Sequence, residues 1–223
     1  MTEFPFVMTK SVLIVDDHPL FRAMLVHLIN AEPGMKVCCQ ADNIQDAMTL
    51  IETREPDLAL IDLSLNGSSG LDLIKQLKAG GRLFPILVIS MHDEMVYAER
   101  SLRAGAKGFV SKQEDPDVVI KAIRKVMDGQ SYASERVTTA MLDKLSDTGK
   151  HPKYSIMDAL SDREIEILQL IGRGLNARQI AEHLNLSSST VDSHRARIKD
   201  KLGVKNAAEL YKLAAQWMVE REL

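Results

Sequence analysis

Ser11-Val12-Leu13-Ile14-Val15-Asp16-Asp17 joins an uninterrupted apolar run to a pair of carboxylates. Without polar alternation the run reads as a strand buried on both faces, as in a parallel sheet covered by helices. The pattern recurs downstream: residues 58–61 (Leu-Ala-Leu-Ile) lead into Asp62, residues 86–89 (Ile-Leu-Val-Ile) into Ser90, and residues 108–110 (Gly-Phe-Val) stop two positions before Lys112. Residues 36–40 add a fifth run. Amphipathic stretches with helical spacing fill the intervals at 18–31, 43–54, 70–78, 94–103 and 115–128. Five strands alternating with five helices predict a doubly wound α/β domain built on a five-stranded parallel sheet over residues 8–129. Ligands of such sheets gather outside the carboxyl ends of the strands.

Those ends carry the polar residues of interest. Asp16 and Asp17 follow the first strand, Asp62 the third, Ser90 the fourth, and Lys112 lies just past the fifth. Three carboxylates gathered at one edge repel each other and need a cation, and all-oxygen ligation suits Mg²⁺. Lys112 supplies a movable charge and Ser90 a hydroxyl donor. An aspartate open to attack on a phosphoryl donor, beside a metal and a lysine that neutralise the transferred group, is a phosphoryl-acceptor site. Strand-end Asp and Ser also serve as simple helix caps, but four separate strand ends bearing the required residue types favour the site. A phosphatase working through an aspartyl-phosphate would want a second acid two residues after Asp62, where Ser64 stands, and the glycine signature of P-loop and dinucleotide enzymes is missing. The chain is therefore not expected to be an enzyme.

Residues 8–129 resemble the receiver domain of bacterial two-component response regulators. The matching stretches are Val12-Leu13-Ile14-Val15-Asp16-Asp17-His18-Pro19, Asp62-Leu63-Ser64, Val88-Ile89-Ser90-Met91-His92 and Gly105-Ala106-Lys107-Gly108-Phe109-Val110-Ser111-Lys112. The resemblance implies a flavodoxin-like fold. It implies Asp62 as the phosphoacceptor, and Asp16, Asp17, Asp62 and the Ser64 backbone carbonyl as Mg²⁺ ligands. Ser90 and Lys112 would hold the phosphoryl oxygens, with Ser90 and the aromatic Phe109 forming the switch. His92 reads as a solvated loop residue. One departure stands out: the family usually has Met-Pro where this chain has Leu65-Asn66, followed by Gly67. Asn-Gly forms the turn that a proline would otherwise preset.

Past residue 129 the composition shifts. Residues 130–156 are rich in Ser, Thr, Asp, Lys and Gly, with Thr148-Gly149-Lys150-His151-Pro152 as punctuation, and read as a linker carrying one helix at 135–145. No strand pattern follows. Ser161 with Glu164 forms a capping box ahead of Ile165, Ile167, Leu168 and Ile171, and further helices are predicted at 176–184, 187–202 and 206–218. Residues 157–223 thus make an all-α four-helix unit. Its tight connection at Asn185-Leu186 fits a helix-turn-helix. In the third of these helices Val191, His194, Ile198 and Leu202 share one face, opposite Ser189, Asp192, Ser193, Ala196, Arg197 and Asp200. A surface of small residues with an arginine can approach base edges closely. Arg195, Lys199 and Lys201 flank it where phosphates would run, and Arg178 adds a contact from the preceding helix.

Residues 158–218 also resemble the LuxR-type domain of the NarL/FixJ class of response regulators, through Leu160-Ser161-Asp162-Arg163-Glu164, Ile180-Ala181-Glu182-His183-Leu184, Ser189-Thr190-Val191-Asp192-Ser193-His194 and Lys201-Leu202-Gly203-Val204. The residues expected to contact DNA are Arg178, Ser189, Thr190, Asp192, Ser193, His194, Arg195, Arg197 and Lys199. Position 192, often lysine in this class, is aspartate here, which repels phosphate but accepts from a cytosine amino group. The two resemblances imply a phosphorylation-switched transcriptional regulator. Its partners would be a cognate sensor histidine kinase, double-stranded DNA, RNA polymerase and, once phosphorylated, a second copy of itself.

Composition agrees with this organisation. The 223 residues leave room for two modest domains, and 45% hydrophobic with 26% charged residues is ordinary for a globular chain. The net charge of -3 conceals a gradient: residues 1–129 hold 14 Lys and Arg against 18 Asp and Glu, whereas residues 173–212 hold 8 against 4. Aromatics at 4% argue against a base-stacking platform for single strands. Apolar runs stop far short of the ~20 residues that cross a bilayer. Residues 4–8 form only a short apolar patch with no basic segment before it, so a cytoplasmic location is expected. Cys38 and Cys39, adjacent in sequence, read as two small packing residues.

Overall fold

Val12 to Val15 and Leu58 to Ile61 are wholly buried, and Ile86 to Ile89 nearly so. Runs of this kind escape water on both sides only inside a sheet covered on both faces. The computed structural model describes residues 9–65, 68–146 and 159–222; the patch at 4–8, the Asn66-Gly67 turn and the punctuation at 148–152 fall outside them. The chain divides into two compact units, Met1–Asp147 and Thr148–Leu223.

The first unit runs β1 (Lys10–Val15), α1 (Pro19–Asn30), β2 (Met35–Ala41), α2 (Ile44–Arg54), β3 (Leu58–Ile61), β4 (Ser64–Leu65), β5 (Ser68–Ser69), α3 (Gly70–Ala79), β6 (Ile86–Ser90), α4 (Glu94–Ala104), β7 (Gly108–Ser111), α5 (Pro116–Met127) and α6 (Glu135–Ser146). Five strands form a parallel sheet in the order β2-β1-β3-β6-β7, the doubly wound arrangement expected. Alternate strand residues face opposite sides. Val12, Ile14, Leu58, Leu60, Leu87, Ile89 and Val110 pack with Leu25 and Ile29 of α1 and Val119, Ile123 and Val126 of α5. Leu13, Val15, Ala59, Ile61 and Val88 point the other way and are equally buried.

Register then fixes the site. Val15 lies opposite Ile61, so Asp16 and Asp62 emerge side by side, and the Asp62 N–H donates to the Val15 carbonyl at 2.8 Å. Ser90 pairs with Ser111, and the Lys112 N–H donates to the Ser90 carbonyl at 2.9 Å. Two features exceed the sequence reading. A two-stranded antiparallel hairpin, β4 with β5, follows Asp62 directly. The stretch read as a linker from residue 130 belongs in large part to the first unit: Tyr132 bridges to Gly108 on the edge of β7, Val137 is buried, and α6 packs against α4.

The second unit contains α7 (Asp162–Gly172), α8 (Ala177–His183), α9 (Ser188–Leu202) and α10 (Ala207–Glu222). Ser161 caps α7 in a full capping box with Glu164, and Ser187 caps α9 by accepting from the Thr190 N–H. Asn185 takes the left-handed conformation (φ 51°) in the α8–α9 turn, a role that asparagine tolerates. Ile165 and Leu168 of α7, Ile180 of α8, Val191 and Ile198 of α9, and Leu210 and Ala214 of α10 are wholly buried. At Gly172 a Cβ would come 2.8 Å from the Ala214 carbonyl oxygen, so the glycine lets α7 and α10 cross closely.

Candidate functional site

At the carboxyl edge of the sheet Asp16 and Asp62 are almost inaccessible to water. The Lys112 ammonium lies between them, 2.7 Å from Oδ2 of each, and is itself 3% exposed. Its outer side rests on the ring of Phe21, 4.6 Å from the centroid. Asp17 completes a carboxylate trio, and the His18 imidazole closes it: Nδ1 is 2.8 Å from Asp17, 3.3 Å from Asp16 and 3.7 Å from Asp62. Ligand atoms of Asp16, Asp17, His18 and Asp62 all fall within 4.8 Å of one another. Burial pushes the Asp62 carboxyl above the ordinary carboxylate range and the Asp16 charge adds to this, while Lys112 and the Ser64 N–H pull the other way.

The loops after β3 and β6 meet over this cluster. Ser64 Oγ and His92 Nε2 are 2.9 Å apart, and the His92 ring packs on Tyr97 at 4.7 Å. His92 is thus engaged with the neighbouring loop and is not a solvated loop residue. Its backbone N–H donates to the Ser90 hydroxyl at 3.3 Å. Ser90 is wholly buried and Phe109 is 1% exposed. Beneath Asp62, Gly70 opens α3 so tightly that a Cβ there would lie 1.9 Å from the Asp62 carbonyl oxygen.

The outward face of α9 presents Ser189, Asp192, Ser193, Ala196, Arg197 and Asp200 to solvent. Ser193 Oγ donates to the Ser189 carbonyl at 2.9 Å, which leaves the hydroxyl free to accept from outside. Ser187 Oγ lies 2.7 Å from Thr190 Oγ1, tying Thr190 into the helix cap. Arg195 covers the Tyr211 ring at 5.5 Å and approaches Asp192 at 3.5 Å, Lys199 is half-buried, and the exposed Arg178 pairs with Glu182 at 3.0 Å. His194 is half-buried with Nδ1 shielded from water, and burial, with Arg197 nearby, lowers its pKa.

Residues 12–124 match the response regulator receiver domain, and residues 158–214 match the luxR family of bacterial regulatory proteins. The response regulator UvrY of Escherichia coli is 34% identical over 204 residues, covering 92% of this chain and 93% of its own. The nitrate/nitrite response regulator protein NarP of Escherichia coli is 33% identical over 196 residues, covering 88% and 90%. The fold is similar to that of RcsB from Salmonella enterica serovar Typhimurium, solved bound to promoter P1flhDC in the presence of phosphomimetic BeF3-. That likeness has 26% identity and a TM-score of 0.57, over 93% of this chain and 99% of the other. The chain is a LuxR-type response regulator.

As a member of that family it is a DNA-binding transcriptional regulator of a two-component system, with a receiver unit and a helix-turn-helix unit, and not an enzyme. Within this response regulator the strand-end residues Asp16, Asp17, Asp62, Ser90 and Lys112 all reach one edge. His18, Phe21 and Gly70 join them without having been singled out in the sequence. His18 stands before Pro19 and looks like the opening of a helix, and nothing local in the sequence tells that a backbone carbonyl will press on Gly70.

Proposed function

We propose that Asp62 is the phosphoacceptor of this response regulator and that its phosphorylation controls promoter recognition by α9. The observation that carries the reading is the buried Asp62 carboxylate held 2.7 Å from Lys112, beside Asp16. An Asp62 oxygen attacks the phosphorus of a phosphohistidine on the cognate sensor kinase, and the P–N bond breaks as the P–O bond forms. The Lys112 charge then passes from the carboxylate pair to a phosphoryl oxygen, and the Ser90 hydroxyl donates to another. Phe109, packed beside that strand end, turns as Ser90 is drawn in. Asp16, Asp17, Asp62 and the Ser64 backbone carbonyl would hold Mg²⁺ as a hard oxygen set, since the cluster gathers three carboxylates, two of them buried, around the Lys112 ammonium. Bound Mg²⁺ supplies neutralisation of the charge on the transferred phosphoryl group.

Duplex DNA is the partner of the α9 face, on which Arg197, Asp192 and Ser193 read base edges while Lys199, Arg195 and Arg178 meet phosphates. Phosphorylation pairs two copies, and the bound dimer acts on RNA polymerase. No helix among the described residues is long and apolar enough to cross a membrane, and we place the protein's work in the cytoplasm. Incubation with acetyl phosphate tests the phosphoacceptor. The wild type is expected to form a hydroxylamine-sensitive phosphoprotein and Asp62→Asn none, because an amide is a poor nucleophile. A variant that still labels would move the site elsewhere.

A further inference from the structure

Adjacent residues of a regular strand point to opposite faces, which should keep Cys38 and Cys39 apart on β2. The pairing of β2 with β1 breaks the rule. Val12 lies opposite Val37, but Leu13 lies opposite Cys39, so Cys38 is the extra residue of a bulge. The bulge brings the two side chains together: their Sγ atoms are 3.0 Å apart, and Cys38 Sγ also reaches the Val12 carbonyl at 3.5 Å. Both are free, half-buried thiols on the edge strand of the sheet.

The pair is poorly placed to close on itself. Consecutive Cα atoms stand ~3.8 Å apart across a trans peptide, short of the ~4.4–6.8 Å that a disulfide spans. Burial and the neighbouring thiol push Cys39 up to about 12, so at neutral pH it is a protonated thiol and a weak nucleophile toward one-armed electrophiles. A four-ligand zinc site lacks donors, since among the described residues the two cysteines belong to no cluster of three or more His, Cys, Asp or Glu ligand atoms, and the Arg54 charge acting on Cys39 opposes a metal cation. Cu(I) with two ligands wants its sulfurs on opposite sides. Two thiol sulfurs in contact match instead a neutral centre that takes both at neighbouring positions.

We propose that Cys38 and Cys39 form a vicinal dithiol site for trivalent arsenicals. With an arsenoxide the arsenic–oxygen bond breaks, two arsenic–sulfur bonds form, and both thiol protons leave with the oxygen as one water. Arsenic stays trivalent, so neither oxidant nor reductant is needed.

The test uses the full-length protein, reduced with a phosphine, and phenylarsine oxide as the probe, read by intact mass. One adduct per chain is expected, retained in excess 2-mercaptoethanol and released by dithiothreitol. Because the second sulfur attaches intramolecularly, Cys38→Ser and Cys39→Ser should each lower retention against the monothiol by ~10-fold or more. Two adducts per chain, release of the wild-type adduct by the monothiol, or undiminished retention in either variant overturns the proposal. Should a variant fail to fold, stoichiometry and monothiol resistance of the wild type decide alone.

Discussion

Gly70 and Glu164 show how single residues hold each unit in working geometry. A Cβ on Gly70 would overlap the Asp62 carbonyl oxygen at 1.9 Å, and backbone cannot swing aside as a side chain would. Either α3 or the end of β3 must move, and a shift at the end of β3 displaces Asp62 relative to Lys112. Gly70→Ala is therefore expected to destabilise the first unit by about 1–3 kcal/mol, and to slow acetyl phosphate labelling by ~10-fold or more, since small misplacements at a reacting centre are costly. Labelling at the wild-type rate would contradict this. Glu164 is buried, yet it accepts from Lys201 Nζ at 2.7 Å and from the Ser161 N–H at 2.7 Å. Burial alone would raise its pKa, but the bonds from Lys201 and Ser161 outweigh it and the pKa is lowered. A depressed carboxyl stabilises the fold above its unfolded value, ~4.3, and that contribution is lost as pH falls through the folded one. Glu164→Gln should cost about 1.5–3 kcal/mol at pH 7 and flatten the acid limb of the stability curve. Trp217, the single tryptophan, lies in α10 and reports this unit by fluorescence during urea unfolding. An unchanged acid limb in the variant would reject the assignment. The gathering of Asp16, Asp17, Asp62, Ser90 and Lys112 was legible in the sequence because strand ends in a parallel sheet share an edge. The contact of Ser64 with His92, 28 positions away, depends on how two loops fold back, and no periodicity encodes that.

Elements follow the same division. The five long strands and their helices stand within one or two residues of where apolar periodicity places them, since burial on both faces and on one stripe leave different spacings. The hairpin of β4 and β5 is too short to carry any spacing. The helix at 135–146 is legible by its amphipathic pattern, but that pattern does not name α4 as the surface it covers. At Cys38 a one-residue bulge overturns the alternation on which strand reading depends. For α9 the wheel separates Val191, Ile198 and the half-buried His194 from the exposed Ser193 and Arg197. Lys199 sits at the margin of that exposed face, where a phosphate strand would pass. Lys199→Ala should weaken binding to every sequence and lower the salt slope by ~1. The Ser193 hydroxyl donates its hydrogen bond to the Ser189 carbonyl and offers acceptor lone pairs outward. Ser193→Ala should change base preference at one position by ~1–3 kcal/mol, chiefly against an amino-bearing base, with little effect on salt dependence. An operator library titrated at two salt concentrations tests both, and an exchange of the two phenotypes would mean that α9 presents another face.

At the scale of the whole molecule, the proposed phosphoacceptor lies in one compact unit and the basic helix in the other, each with its own core. A signal at Asp62 need not reshape α9 if it sets how many copies bind together. A single helix-turn-helix unit reads one half-site, and linking two makes the second contact intramolecular, a gain of ~10²–10⁴ in avidity. Two units on one side of a duplex require half-sites ~10 base pairs apart, or a multiple of that. Inserting ~5 base pairs turns one half-site to the opposite side of the DNA, beyond reach of the second α9 without twisting the duplex. Phosphorylated protein is therefore expected to lose ~100-fold or more in affinity on the half-turn insertion and to recover part of it on a full-turn insertion. Asp62→Asn, which lacks the proposed phosphoacceptor, should bind all three spacings weakly and alike. Titrations at one fixed salt concentration measure this, because the phosphate contribution otherwise masks the comparison, and sedimentation of the same samples should report a monomer before phosphorylation and a dimer after. Phase-independent binding by the phosphorylated protein, or a monomer in both states, would show that Asp62 acts on α9 by a route other than pairing.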